Sequence, residues 1–196
     1  MESSDGRAES LSPKAAMRRA LLAARRGRDP LAAGSALLLA LAPLLPGAQL
    51  VASYVSVGSE PSTSELNAAL LAADVRVLLP VLLPGGDLSW TAYDGRLAPA
   101  ECGLLEPVGE RLGVEAIGAA DLVVVPALAV DRRGVRLGRG GGSYDRALPR
   151  AGGQVVALLY DGELVDVLPS EPHDSRVALA ATPAEGLVRL AGGMYA

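Results

Sequence analysis

The stretch LVVVPALAVDRRGVRLGRGGGSYDR, residues 122–146, decides how the rest of the chain is read. It opens on Leu122 to Val125, a short β-branched apolar run of the kind carried by a parallel strand buried on both faces. Val125-Pro126 closes that strand, and Asp131-Arg132-Arg133-Gly134 reads as a turn. Four glycines then fall within the five positions 138–142. Without a Cβ, backbone N–H groups there converge unobstructed. Arg136 and Arg139 add forked donors matched to phosphate oxygens. A short helix starting near Ser143 turns its positive end toward the same anion. Asp145 sets a carboxylate where a phosphate-bridging Mg²⁺ needs a ligand.

Two phosphate motifs are excluded. No G-x-x-x-x-G-K-[S/T] occurs, and G-x-G-x-x-G fails because Ser143 holds the last position. Pro149 also leaves too short a helix for a dinucleotide fold. A flexible glycine-rich surface loop would carry the same glycines; the flanking arginines and Asp145 argue for an anion site instead. Arg150, beyond Pro149, lies outside the segment and reads as a bystander.

Outward from this stretch, Gln154 to Tyr160 repeats the buried-strand pattern. Leu50 to Val55, Val75 to Pro80 and Leu88 to Tyr93 are further strands, with Pro84-Gly85-Gly86-Asp87 a turn. Helices are predicted from Ser12 to about Arg26, from Leu31 to Leu41 and from Ser64 to Ala73, while 94–120 is turn-rich. The alternation predicts an α/β fold: a single-domain, open, mostly parallel sheet with helices on both faces. Residues 1–11 read as a disordered N-terminus and 12–196 as one domain.

Half of the 196 residues are apolar and phenylalanine is absent, so Ala, Leu and Val fill the core. The net charge of −4 is unevenly spread. Residues 1–30 carry seven basic and four acidic side chains, and residues 131–150 carry six and two. Two basic islands on an acidic chain imply a local anion site rather than a nucleic-acid surface, which needs a broader basic face. The lone Cys102 allows no internal disulfide, fits a reducing, cytoplasmic compartment and reads as a packing residue. The apolar segment Leu31 to Leu50 is broken by Gly34, Pro43 and Pro46, so it reads as a buried helix rather than a membrane span.

The first helix adds a second cation source. Ser12 caps it and Pro13 takes the first position, where its missing N–H costs nothing. At 100° per residue, Lys14, Arg18 and Arg25 share one edge beside the apolar stripe of Met17 and Leu21, so that edge touches the core and offers cations to a ligand. Lys14 is the only lysine among eighteen Lys and Arg residues. Its compact, mobile ammonium suits a phosphate in a way that a planar guanidinium does not.

These residues closely resemble the signature of the 5-formyltetrahydrofolate cyclo-ligases, also called methenyltetrahydrofolate synthetases. The likeness runs from Lys14 to about Asp174. It includes Lys14 with Arg18, Glu60 to Thr63, Arg76 to Pro80, Glu106-Pro107, the long segment from Val125 to Arg146, and Glu171-Pro172-His173-Asp174. The resemblance implies a fold like that of ribose-5-phosphate isomerase and the CoA transferases. It implies conversion of 5-formyltetrahydrofolate to 5,10-methenyltetrahydrofolate with ATP as co-substrate and Mg²⁺. By the same resemblance Lys14, Arg18, Arg136, Leu137, Gly138, Arg139, Gly140, Gly141, Gly142, Ser143 and Tyr144 bind ATP. Val55 and Glu60 match folate-contacting positions, part of the loop including Tyr144 also faces the folate, and Asp145 and Asp174 match magnesium positions. Gly141 stands where some members carry Lys, Ser143 where an aromatic is frequent, and Ala178 where an acidic residue is frequent.

The chemistry implied needs no nucleophilic side chain. Lys14 and Arg139 serve as the catalytic cations around a transferring phosphoryl group. The lone His173 and Cys102 allow no conventional His-based triad or Cys/His zinc cluster, and His173 reads as structural. Trp90, the only tryptophan, is read either as a pterin-stacking residue or as core. Oligomeric state is left open, with a monomer favoured; no nucleic acid or membrane partner is expected. Two other functions fit the same residues: a sugar-phosphate isomerase on the same fold, needing a carboxylate base but no ATP, and a non-catalytic folate or nucleotide sensor.

Overall fold

A computed structural model describes residues 12–171 and 174–191, apart from the side chain of Cys102. The expectations for residues 1–11, Cys102 and His173 lie outside what it describes. In chain order the elements are α1 (Pro13–Ala24), α2 (Pro30–Leu41), β1 (Leu50–Ala52), α3 (Ser64–Ala72), β2 (Arg76–Leu82), β3 (Leu88–Tyr93), β4 (Leu97–Pro99), β5 (Leu105–Pro107), β6 (Leu122–Pro126), β7 (Ala129–Asp131), β8 (Arg136–Leu137), α4 (Ser143–Ala147), β9 (Gln154–Leu158), β10 (Leu164–Val165), β11 (Leu179–Thr182) and β12 (Gly186–Arg189).

The main sheet has the order β12-β11-β9-β6-β1-β2-β3. Its five central strands are parallel, and β3 and β12 pair antiparallel at the two edges. The alternating side chains of the central strands feed two cores. Val51, Val77, Leu79, Val124, Val156 and Leu158 face one side, where α2 and α3 lie. Ala52, Leu78, Val123, Val125, Val155 and Ala157 face the other. There the cover is shorter: a 3-10 segment at Val114–Ala119, α4 with the turn Leu148–Arg150, and parts of a small sheet of order β10-β7-β8.

Local rules explain the helices. Asp29 caps α2 by accepting from Leu31 N and Ala32 N, with Pro30 in the first turn. The helix buries Ala33, Gly34, Leu37 and Leu41 against the sheet, which accounts for the apolar run seen in the sequence. Among the described residues no helix is long and apolar enough to cross a membrane.

The small sheet went unread because its strands are only two or three residues long. Asp131 holds it together. Its buried carboxylate accepts from the amides of Arg133, Val135 and Leu168 and pairs with the Arg133 guanidinium at 2.7 Å. Burial opposes ionisation, but the Arg133 pair and the three amides outweigh it and hold the Asp131 carboxyl below the usual carboxylate range. The stability this group contributes is therefore present above the unfolded value and lost as pH falls through the lower folded one. Asp131→Asn is expected to cost about 2–3 kcal/mol near neutral pH, since bonds to a charged group are each worth roughly 1.5–3. Urea titrations should show the gap between variant and wild type shrinking below about pH 4.

Candidate functional site

Sheet order locates the site. From β1 the chain moves outward to β2 on one side; β6, β9 and β11 then add on the other, so the order reverses between β1 and β6. In open parallel sheets ligands bind at such a reversal, beyond the carboxyl ends of the strands. A cavity of about 840 Å³ lies there. Tyr54 and Val55, just after β1, and Pro126, Ala127 and Leu128, just after β6, form part of its wall.

The glycine-rich loop and α1 meet in this cavity although more than a hundred residues separate them. Lys14, Arg18, Arg136, Leu137, Gly138, Arg139, Gly140, Gly141, Gly142, Ser143, Tyr144 and Asp145 all line it, as do Val55, Glu60 and Asp174. Arg18 Nε donates to Gly138 O at 2.9 Å, joining the helix to the loop. The glycines are needed for a concrete reason. A Cβ at 138 would stand 2.7 Å from Arg136 Nη1 and one at 142 would stand 3.0 Å from Arg146 Nη1, so those guanidinium groups would have to shift, while one at 140 would meet the Arg18 guanidinium in ordinary contact at 3.5 Å. Gly140 and Gly142 also have φ of 107° and 71°, which L side chains rarely adopt. Three arginines thus stack on a bare backbone, with α4 beginning at Ser143 as expected. At five residues α4 carries little dipole.

Each central cation is held by a carboxylate. Lys14 Nζ lies 2.7 and 2.9 Å from the two oxygens of Asp174 and 3.5 Å from Glu171. Arg136 Nη2 lies 2.7 Å from Asp145 Oδ1, with its guanidinium 5.7 Å above the Tyr144 ring. Arg139 crosses the cavity to Glu60 Oε1 at 2.8 Å and donates to Val57 O at 2.8 Å, while the other Glu60 oxygen accepts from Val57 N. Burial, and next the Glu60 carboxylate, push the Tyr144 phenol up, so it stays a neutral donor. Its hydroxyl and that of Tyr54 are buried without a hydrogen-bond partner among the described residues. Both tyrosines line the cavity.

The structure revises three expectations. Trp90 does not reach the cavity: it is fully buried within the core on β3, among Leu88, Leu78 and Ile117, so stacking on a pterin is closed to it. Arg25 offers no cation to a ligand, because it is buried in a pair with Glu163. Arg150 is no bystander; it bonds Asp87 at 2.7 Å and Val114 O at 3.2 Å, fastening the turn between β2 and β3.

Sequence reading missed the cavity's apolar wall, formed by Pro80, Leu82, Leu88, Leu104 and Leu105, and also Arg146. The signal for Arg146 was present in the basic island; nothing local marked the leucines.

Asp145 and Asp174, the two carboxylates expected to hold a divalent ion, both line the cavity. Among the described residues no group of three or more His, Cys, Asp or Glu side chains is gathered for one.

Comparison with known proteins adds a second line of argument. The model of the 5-formyltetrahydrofolate cyclo-ligase family matches residues 11–183. The 5-formyltetrahydrofolate cyclo-ligase of Mycolicibacterium smegmatis is 48% identical over 151 residues, covering 71% of this chain and 76% of that protein. The enzyme of the same name from Escherichia coli K12 is 34% identical over 145 residues, covering 70% and 80%. The NMR structure of the Aquifex aeolicus 5,10-methenyltetrahydrofolate synthetase superposes with a TM-score of 0.78 at 27% identity, covering 93% of this chain and 95% of that one.

Proposed function

The chain belongs to the 5-formyltetrahydrofolate cyclo-ligase family, and on that premise we propose that it converts 5-formyltetrahydrofolate to 5,10-methenyltetrahydrofolate, consuming MgATP and releasing ADP and phosphate. The observation that carries this reading is the composition of one cavity. One part of its lining is cationic, with Lys14 and Arg18 from α1 and Arg136, Arg139 and Arg146 from the glycine-rich segment, and another part is apolar or aromatic, with Val55, Pro80, Leu82, Leu88 and two tyrosines whose hydroxyls are buried. The first part suits a triphosphate and the second a flat heterocycle.

The formyl group on N5 is an amide whose oxygen leaves poorly. Transfer of the γ-phosphoryl group breaks its bond to the β-phosphate oxygen and forms one to the formyl oxygen. N10 then attacks the formyl carbon and closes a five-membered ring; the oxygen departs within phosphate and N10 loses its proton. Because the attack is intramolecular, positioning supplies much of the rate. The protein's part is therefore to bind, align and screen charge. Lys14 and Arg139 disperse charge on the transferring group, while Arg18, Arg136 and the loop backbone from Gly138 to Gly142 cradle the remaining phosphates. Val55, Glu60 and Tyr144 orient the folate. Asp145 and Asp174 would hold Mg²⁺, which when bound neutralises phosphate charge. The ion pairs match such a ligand as a unit: Lys14 and Arg136 would turn from Asp174 and Asp145 to phosphate oxygens, and the two carboxylates so released would hold the metal.

The same reading takes residues 12–196 as one catalytic domain, monomeric and cytoplasmic, with small-molecule partners only. The test follows methenyl-folate absorbance with purified protein, with and without ATP and with the divalent metal chelated. Product is expected only when both are present. Turnover without nucleotide, or binding without turnover under any condition, would overturn the proposal.

A further inference from the structure

One buried ion pair lies outside the cavity and has no part in the chemistry above. Arg25, at the C-terminal cap of α1, is 1% exposed and Glu163 is 2% exposed. Arg25 Nε donates to Glu163 Oε1 at 2.8 Å, and Nη2 donates to Glu163 Oε2 at 2.7 Å and to Ala127 O at 2.6 Å. Tyr160 N donates to the same Glu163 carboxylate, and the Tyr160 ring lies beneath both Arg25 and Arg28, at 5.3 and 4.9 Å. Taking two charges out of water is costly, and apolar residues of similar volume often serve stability as well or better. Packing alone does not account for the pair.

We propose that Arg25 and Glu163 are positioning residues that set where α1 presents Lys14 and Arg18 to the cavity. The proposal rests on the nucleotide reading for the purpose of those two cations. No residue of α1 itself is fully buried; Met17 and Leu21 are only partly covered by the small sheet. The helix lies on the surface, so polar fastenings fix its place. At one end Arg18 bonds Gly138 O and Lys14 bonds Asp174. The ligand must rearrange those contacts, so they cannot also serve as the fixed point. About 16 Å away along the axis, Arg25 clasps the segments that follow β6 and β9, and its acceptor Ala127 is itself part of the cavity wall. Helix and wall are thereby referred to one another through a planar, bidentate contact, which restricts orientation as well as distance.

The test uses the full chain with Glu163→Gln, which removes the charge with little change of shape. The double variant Arg25→Met/Glu163→Leu leaves no buried charge unpaired and carries the test if the single variant does not fold. The first readout needs no nucleotide. Lys14 is the only lysine, and its acylation by a small amine reagent, followed by peptide mass, reports whether it leaves Asp174. The variants should acylate Lys14 severalfold faster while retaining a cooperative melt. The second readout is kinetic: KM for ATP should rise about tenfold with KM for the folate unchanged. In a Lys14→Ala/Arg18→Ala background the same substitution should add less than about twofold, because it acts through those two cations. Unchanged acylation in a folded variant overturns the proposal whatever ATP does. Faster acylation with an unchanged KM for ATP overturns it as well. Faster acylation in a chain whose wild type uses no ATP retains the fastening and refutes the nucleotide reading instead.

Discussion

Lys14→Ala is expected to lower turnover by about a hundredfold to a thousandfold, the loss seen when one donor to a developing charge is removed from a closed site. Lys14 is 13% exposed and its ammonium is chelated by both oxygens of Asp174. Removing it takes away a proposed phosphate ligand and one counter-ion of the Asp174 carboxylate, at a position expected to receive the metal. KM for ATP should rise while folate binding measured without nucleotide changes little, because the apolar wall lies on other elements. Lys14→Arg should recover only part of the rate, since a planar guanidinium cannot occupy the point where the ammonium meets Asp174. Steady-state kinetics of both variants check this; a loss under about threefold in Lys14→Ala would mean that α1 does not serve the nucleotide.

Arg139→Ala should cost about tenfold to a hundredfold, in line with the 1.5–3 kcal/mol of a charge-assisted hydrogen bond. Arg139 sits between the two halves of the proposed ligand set, bonded to Glu60 on one side and carried by the glycine-rich loop on the other. Its loss is expected to raise KM for both substrates, which separates it from Lys14. Arg189, exposed on the edge strand β12, is the appropriate control, with a change under about twofold for Arg189→Ala. Arg150 cannot serve, because its removal would loosen the turn at Asp87. A pair held by Arg150 and the Leu88 amide keeps the Asp87 carboxyl low against the desolvation that would raise it. Equal losses at Arg139 and Arg189 would reduce the loop to a basic surface.

Much of this site was legible before any coordinates. Residues 122–146 announce a buried strand, a turn and an anion loop because each part has its own local signature, namely branched apolar residues, Asp-Arg-Arg-Gly and clustered glycine. Ser12-Pro13 announces α1 in the same way. The assignment of carboxylates to cations was not legible, for Glu60 and Arg139 are 79 residues apart and Lys14 and Asp174 are 160 apart. Pairings at such separations depend on topology, which no local window contains. Helical periodicity placed Arg25 beside Lys14 correctly in angle but was silent on height. One end of that edge meets the cavity and the other meets Glu163. For Trp90, alternation could not choose a side, because Ser89, Trp90 and Thr91 are all buried. The strand β11 was overlooked since Leu-Ala-Ala-Thr carries a single β-branched residue, Thr182, and no aromatic to mark a strand.

The contacts of α1 have a consequence for how the molecule is made. Helix α1 is fastened at its two ends by residues made 138 and 160 positions later, Glu163 and Asp174. At roughly 5–20 residues per second, α1 waits on the order of ten to thirty seconds for these two partners, although Ala129, Val135 and Leu137 can cover Met17 and Leu21 sooner. Ordinary vectorial folding, in which early segments settle first, is reversed here for the one helix that carries Lys14. Nascent chains arrested before residue 163 should therefore show α1 open to protease, even where β1, β2 and β6 have already assembled. A chain ending before residue 163 would hold β1, β2, β6 and β9 without the partners that seat α1, so Lys14 takes its place in the cavity only once they are made.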